Sequence, residues 1–231
     1  ADVIIIGGDP GGLTCARALA RAGAQVLLVE RKPCFGRKVC AGGITASGLL
    51  PRMPPSLIER SFSLQQLCSP WQGIRIKEPQ AMVATVSRER LGQWMVQQAQ
   101  EAGAILRSNV HALAPTDHGL LLRDAAGKVR ELFCEHLVGA DGARSLVRRG
   151  LGLSSRLSIG LNAMLPMERE QMEWHLNSRL FVSGYGWIFP HAELCSVGAF
   201  SDARLIHAKA LQKNLQFWAA GQGIDLQDVP I

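Results

Sequence analysis

Several things are scarce in this 231-residue chain, and each absence narrows the options. No apolar run approaches the roughly 18 residues that a membrane-crossing helix needs. The six cysteines, at 15, 34, 40, 68, 134 and 195, form no C-x-x-C pair, and the six histidines are equally dispersed. Neither a disulfide framework nor a metal site is therefore expected from spacing. Aromatic residues make up only 6% of the chain and do not alternate with basic ones, which argues against a nucleic-acid surface. Internal repeats and low-complexity segments are missing as well. The reading is a reduced, intracellular, cytoplasmic protein with room for contact at a membrane surface. Its net charge of +6 is spread along the chain and favours anionic small molecules. With 47% hydrophobic residues, the length supports a substantial core and one to two domains.

What is present begins at once. Asp2–Arg31, DVIIIGGDPGGLTCARALARAGAQVLLVER, reads as strand, glycine-rich turn, helix, strand and acid. Val3–Ile6 suits a strand buried on both faces, Leu13–Ala22 an Ala-rich helix, and Gln25–Val29 a second buried strand. Gly7, Gly8, Pro10, Gly11 and Gly12 form the turn from which the helix starts. Backbone N–H groups at such a helix N-terminus hold a diphosphate, and Glu30 stands where it can accept from a ribose hydroxyl. Gly12 to Glu30 is 18 residues, near the expected spacing of about 20. An ordinary βαβ unit with a glycine-rich loop is the plainer alternative. An acid at position 30 disfavours a 2′-phosphate, so FAD or NAD fits better than NADP. One residue departs from the G-x-G-x-x-G pattern: Asp9 replaces its second glycine. A like charge about 4–5 Å from a diphosphate costs about 1–4 kcal/mol, so Asp9 is expected to weaken binding.

Further along, Gly73–Lys77 and Ala81–Ser87 read as an antiparallel pair, after a proline-interrupted stretch at 48–70. Arg88–Ala102 has helical spacing, and Ala104–Arg107 reads as the next parallel strand. Leu120–Arg123 and Lys128–Cys134 read as a meander of exposed strands. Leu137–Ala140 returns to the buried-strand pattern and feeds Asp141-Gly142. An acid–glycine pair there sits where open α/β sheets bind ligands: Asp141 can anchor a ribose or ribityl hydroxyl, and Gly142 permits the close turn. Asp-Gly by itself is equally a plain turn. Beyond Leu157 the texture is β-rich, over 158–165, 179–183, 186–189 and 194–200, ending in a helix at about 203–221. The expected organisation is a dinucleotide-binding domain over 1–152 with an insertion at about 50–87, then a β-rich module over 153–231.

These residues resemble FAD-dependent oxidoreductases of the glutathione-reductase-like fold, in the branch of para-hydroxybenzoate-hydroxylase-type enzymes. Within it they are similar to the geranylgeranyl reductases. Arg37–Gly43, RKVCAGG, looks like that family's Lys-x-Cys-Gly-Gly loop; Lys38, Cys40 and Gly42 match, and Ala41 departs. Arg88 matches the family arginine near the cofactor, and Gly139–Gly142 its Gly-Ala-Asp-Gly segment. Tyr185, Trp187, Phe189 and Pro190 match a Tyr-x-Trp-x-Phe-Pro motif, followed by Val197-Gly198.

The resemblance implies a Rossmann-like α/β FAD-binding domain with inserted β segments and a β-rich substrate module. FAD would be held by the turn, Glu30, Arg31, Lys38, Ala41, Gly42, Arg88, Asp141 and Gly142. It also implies reduction of isolated double bonds in polyprenyl or similar lipid-like chains, with reduced FAD giving hydride. No second dinucleotide motif is present, so NAD(P)H would bind transiently or a redox protein would supply electrons. The three aromatics alternate and face one side of a strand, either as a core sheet face or as the lining of an apolar slot. Cys40 is either an inert small hydrophobe or, beside Arg37 and Lys38, a proton donor. Family members continue with a Gly-Asp segment that contacts the flavin, so the chain ending at Ile231 is expected to lack a C-terminal part. A flavin hydroxylase and a non-catalytic remnant with weak or no FAD binding stay as alternatives.

Overall fold

In the computed structural model, residues 1–36, 38–48 and 50–230 are described; Arg37, Leu49 and Ile231 lie outside them. The chain divides into two compact units, Ala1–Lys38 with Arg88–Ser155 and Val39–Ser87 with Arg156–Ile231. The inserted segment thus begins at 39 rather than 50. It joins the C-terminal module rather than the first domain, because its strands pair there.

The first unit is built on a four-stranded parallel sheet in the order His136–Gly139, Val3–Ile6, Val26–Val29, Ile105–Arg107. Val3–Ile6 and Val26–Val29 are wholly apolar and buried throughout, as expected of strands covered on both faces. Helices Pro10–Arg21 and Arg88–Glu101 pack against one another. The opposite face meets the antiparallel strands His111–Thr116, Gly119–Arg123 and Val129–Phe133. There Ile4, Ile6, Leu27 and Val29 share a core with Leu120 and Leu122. The meander expected to be exposed therefore buries one face, because Leu120 and Leu122 close the sheet. The strand His136–Gly139, expected to be buried, is at the sheet edge and only partly covered.

The second unit holds a six-stranded sheet in the order Ser158–Leu165, Cys195–Asp202, Tyr185–Pro190, Met172–His175, Leu64–Cys68, Gly73–Lys77. All its pairings are antiparallel except Met172–His175 with Leu64–Cys68. Helix Ala208–Gly221 buries Leu211, Leu215 and Trp218 against Ile188, Val197 and Ala199 on one face. A smaller sheet orders Gly43–Thr45, Val83–Val86 and Ile58–Phe62.

Three local expectations change here. Gly73–Lys77 pairs with Leu64–Cys68, and Val83–Val86 belongs to the other sheet, so the expected 73–77/81–87 hairpin does not form. Residues 179–183 are not a strand. Asn177 accepts from the backbone N–H groups of Arg179 and Leu180 and starts the short helix Ser178–Phe181. The last helix starts at Ala208 rather than about 203. Among the described residues, no helix is long and apolar enough to cross a membrane.

Candidate functional site

The glycine-rich turn leaves the first sheet at the carboxyl end of Val3–Ile6. Gly7 has φ +107°, and a Cβ there would collide with the Ala140 carbonyl oxygen and approach Asp141 Cα to 3.0 Å. Only glycine fits where two adjacent strand ends come this close. Helix Pro10–Arg21 then begins with proline at its first position and no side-chain cap, which leaves its amino end without a competing side-chain acceptor. Gly11 faces open space. These are the features of a diphosphate site.

Asp9 occupies the N-cap with φ −79° and ψ 172°, extended backbone open to any residue. Its Oδ2 accepts from Lys38 Nζ at 2.8 Å. The charge expected to repel a diphosphate is therefore paired, and Lys38 is engaged with Asp9. Glu30 is 8% exposed; its Oε2 accepts from Gly8 N–H at 2.6 Å and its Oε1 from Lys32 N–H at 2.9 Å. Each oxygen retains a lone pair for a hydroxyl. Arg31, next to it, is exposed.

Ala140 N–H donates to Ile6 O at 2.8 Å, which brings Asp141 to the same end of the sheet as Gly7. Asp141 Oδ2 accepts from Leu146 N–H at 2.5 Å, but its Oδ1 is buried without a partner. Arg88, the first residue of helix Arg88–Glu101, has a buried Nε also without one. Unpaired buried polar atoms are costly in a folded chain. A buried acceptor and a buried donor left open match a ligand carrying hydroxyls and phosphates, so the first unit fits FAD. Gly142, at φ +80°, is exposed beside them.

The remaining expected residues lie in the second unit. Cys40 and Ala41 are partly buried, and Gly42 is buried at φ +85°. A Cβ on Gly42 would run into the His191 ring. His191 is 7% exposed; its Nδ1 lies 2.5 Å from Glu59 Oε2, and its Nε2 lies 3.0 Å from Ala41 O. A carbonyl only accepts, so Nε2 carries the hydrogen. The ring thereby fastens the Cys40 loop to strand Ile58–Phe62. Arg37, expected beside Cys40, lies outside the described residues. His191 and Glu59 escaped the sequence reading. His191 directly follows Pro190, but its partner lies 132 residues earlier, beyond any local pattern.

Tyr185, Trp187 and Phe189 share one face of their strand, and Trp174 of the neighbouring strand completes the layer. Trp174 sits 5.2 Å from Tyr185 and 4.7 Å from Phe189 between ring centroids. Trp187 and Phe189 are buried with Phe62, Val83 and Met172, and Trp187 Nε1–H donates to Ser196 Oγ at 2.9 Å. Pro190 is buried too, its carbonyl accepting from Thr85 Oγ at 2.7 Å. The layer is a core of its unit in which Trp174 and Tyr185 are the partly open members. Burial, and after it the neighbouring Cys40, push the Tyr185 phenol above its ordinary pKa. Cys40 and Tyr185 are therefore electrostatic neighbours.

The comparisons bear on these observations. An FAD-dependent oxidoreductase family matches residues 2–103, and an FAD-binding domain family matches residues 54–193, more than half of the chain. Digeranylgeranylglycerophospholipid reductase 2 of Methanothermobacter thermautotrophicus is 32% identical over 213 residues, covering 83% of this chain and 54% of the relative. Geranylgeranyl diphosphate reductase of Rhodobacter capsulatus is 27% identical, covering 85% and 54%. A geranylgeranyl bacteriochlorophyll reductase-like structure from Thermoplasma acidophilum superposes with a TM-score of 0.88 at 24% identity, over 99% of this chain and 63% of that one. The chain spans about half the length of the curated relatives it matches. The resemblance read from the sequence holds, as does the Rossmann-like α/β class. The chain belongs to the FAD-binding domain family of the FAD-dependent oxidoreductases.

Proposed function

We propose that this chain is the FAD-holding and substrate-facing part of a reductase that hydrogenates isolated C=C bonds of a polyprenyl or similar lipid-like substrate. The observation that carries the reading is the aromatic layer Trp174, Tyr185, Trp187 and Phe189, with Ala41, next to Cys40, packed against it in the same unit. A flavin hydroxylase has no need of a thiol at that place. The relatives whose names concern geranylgeranyl groups support the choice of substrate class.

When bound and reduced, FAD would supply the hydride chemistry for one alkene carbon. Residues of this chain would bind the cofactor, exclude water and deliver the proton. The turn Gly7–Gly12 and the helix end at Pro10 would bind the diphosphate, while Glu30 and Asp141 would accept from sugar and ribityl hydroxyls. Arg88, Arg31, Lys38, Ala41, Gly42 and Gly142 complete the proposed cofactor residues. The aromatic rings of Tyr185, Trp187 and Phe189, with Pro190, exclude water and give an apolar chain a flat surface to lie on. The second alkene carbon needs a proton, and Cys40 Sγ–H is the proposed donor. Burial, and after it Cys40, favour the protonated form of Tyr185. His191 and Glu59 hold the loop that bears Cys40. The electron donor is NAD(P)H or a redox protein, and the substrate meets the enzyme at a membrane surface. The net charge of +6 suits a phosphate or diphosphate headgroup.

The test is anaerobic turnover of photoreduced, FAD-loaded protein with geranylgeranyl diphosphate, read by mass spectrometry. Gain of two hydrogens per reduced bond is expected. Cys40→Ser should lower kcat while flavin content is kept. Oxygenated products from an aromatic substrate, with prenyl chains untouched, would overturn the reading.

A further inference from the structure

We infer that the second unit carries a zinc-type divalent cation site formed by Cys68, Glu173 and His175. It is separate from the residues assigned to FAD and to the substrate. The parallel register of Leu64–Cys68 with Met172–His175 sets Cys68 opposite His175 and Gln66 opposite Glu173. Side chains alternate along a strand, so Glu173 and His175 fall on one face, with Cys68 beside them. One donor atom from each of the three lies within 4.8 Å of the other two. Residue spacing excluded this site, because its ligands come from strands that are distant in sequence and meet only through the sheet.

The chemistry selects the ion. A thiolate, an imidazole nitrogen and a carboxylate oxygen together suit zinc, and three protein ligands leave one open position. Tetrahedral zinc, with bonds of about 2.0–2.3 Å, places its ligand atoms about 3.5 Å apart. The three donor atoms, within 4.8 Å of one another, would draw closer on binding. His175 is already oriented: its ring is 7% exposed and packs edge-on against Trp218 at 4.8 Å. Glu173 Oε2 lies 3.0 Å from His175 Nε2. Cation binding would displace the hydrogen between them and the Cys68 thiol proton.

Glu173 and Gln66 line an open cavity of about 730 Å³ together with Gln171, whose Oε1 is buried without a partner. Cys68 and His175 do not line it, so the cluster meets this cavity through Glu173 alone. Arg60, Arg75 and Arg169 line it as well, and Arg60 donates to the Arg169 carbonyl at 2.6 Å and the Glu170 carbonyl at 3.1 Å. Bound metal would add a third tie between two strands already joined by their ladder and by Trp174 Nε1–H donating to Gln65 Oε1 at 2.7 Å. Trp174, between Glu173 and His175 on that strand, belongs to the opposite face and to the aromatic layer. The site would thus steady the surface proposed for the substrate.

The experiment is titration of the purified chain with zinc alone by calorimetry, followed by cobalt substitution read by absorbance. One equivalent should bind, raise the unfolding temperature and, as cobalt, give a thiolate charge-transfer band. Cys68→Ser should abolish the band, and His175→Gln and Glu173→Gln should each weaken zinc by about tenfold or more. Cys134→Ser, in the other unit, should leave the band intact. Absence of stoichiometric zinc binding to the folded unsubstituted chain overturns the inference, as does a cobalt spectrum without thiolate character. A band that survives Cys68→Ser in a protein with native circular dichroism does so too.

Discussion

The two units hold their chemistry in different ways. In the first, the groups assigned to the cofactor are mostly backbone: a turn, a helix end, and the carbonyl and amide groups that bring Gly7 against Ala140. Glu30 and Asp141 reach the same place because they end or follow neighbouring parallel strands. In the second, the groups are side chains drawn together across a sheet, Trp174 with Phe189 and His191 with Glu59. A backbone site tolerates side-chain changes nearby, provided glycine stays where no Cβ fits. A side-chain layer that is also a core has no such freedom, because each ring both packs and presents a surface. Substitutions in the first unit should therefore cost cofactor, and those in the second should cost stability first.

The sharpest way to break this contrast is Trp187→Ala. Trp187 is 6% exposed, and its loss should destabilise the chain by about 3–5 kcal/mol in urea unfolding. Unchanged stability would mean that the layer is a free surface rather than a core. Glu30→Ala comes next. It should weaken FAD by about 1.5–3 kcal/mol, roughly tenfold to hundredfold in Kd, through loss of a charged acceptor. Flavin affinity equal to that of the unsubstituted protein would remove Glu30 from the site.

Tyr185 offers a smaller and cleaner probe, since it is the single tyrosine of the chain. Burial favours its neutral form and raises its pKa. Its contribution to stability is therefore complete below about pH 10, the ordinary tyrosine value, and is lost as pH rises through the raised one. Phenolate absorbance should appear only above that ordinary value and should fall back toward it in urea. A midpoint at or below the ordinary value in the folded chain would show that Tyr185 is open to water. The smallest effect belongs to Asp9→Gly. The pair with Lys38 is partly exposed, at 32% and 41%, and such pairs contribute about 0–1 kcal/mol. FAD affinity should change by less than tenfold; a large gain would show that Asp9 still repels the diphosphate despite Lys38.

How much was legible follows the same division. The opening strand, turn, helix and strand are local and wholly apolar where buried, so their pattern reads directly, and Glu30 and Asp141 follow from their positions at strand ends. Strand pairing is another matter. Gly73–Lys77 and Val83–Val86 look like a hairpin, yet each has a better partner elsewhere, Leu64–Cys68 and Ile58–Phe62. Those partners, with Met172–His175, went unread because prolines and mixed polarity hide their alternation. At 179–183 the β-prone residues yield to Asn177, whose side chain satisfies two backbone donors and starts a helix instead.

By itself, then, the amino-acid order determined the dinucleotide-binding unit, since a diphosphate is held by backbone that a few adjacent glycines and a helix start can specify. It also determined that Tyr185, Trp187 and Phe189 face one way, because side chains alternate along any strand. What covers that face was decided only by the tertiary structure, as were the pairing of Asp9 with Lys38 and the fastening of the Cys40 loop by His191 and Glu59. The meeting of Cys68 with Glu173 and His175 was decided there too. The physical reason is separation along the chain: these groups touch through sheet order and register, which depend on how whole strands compete for partners.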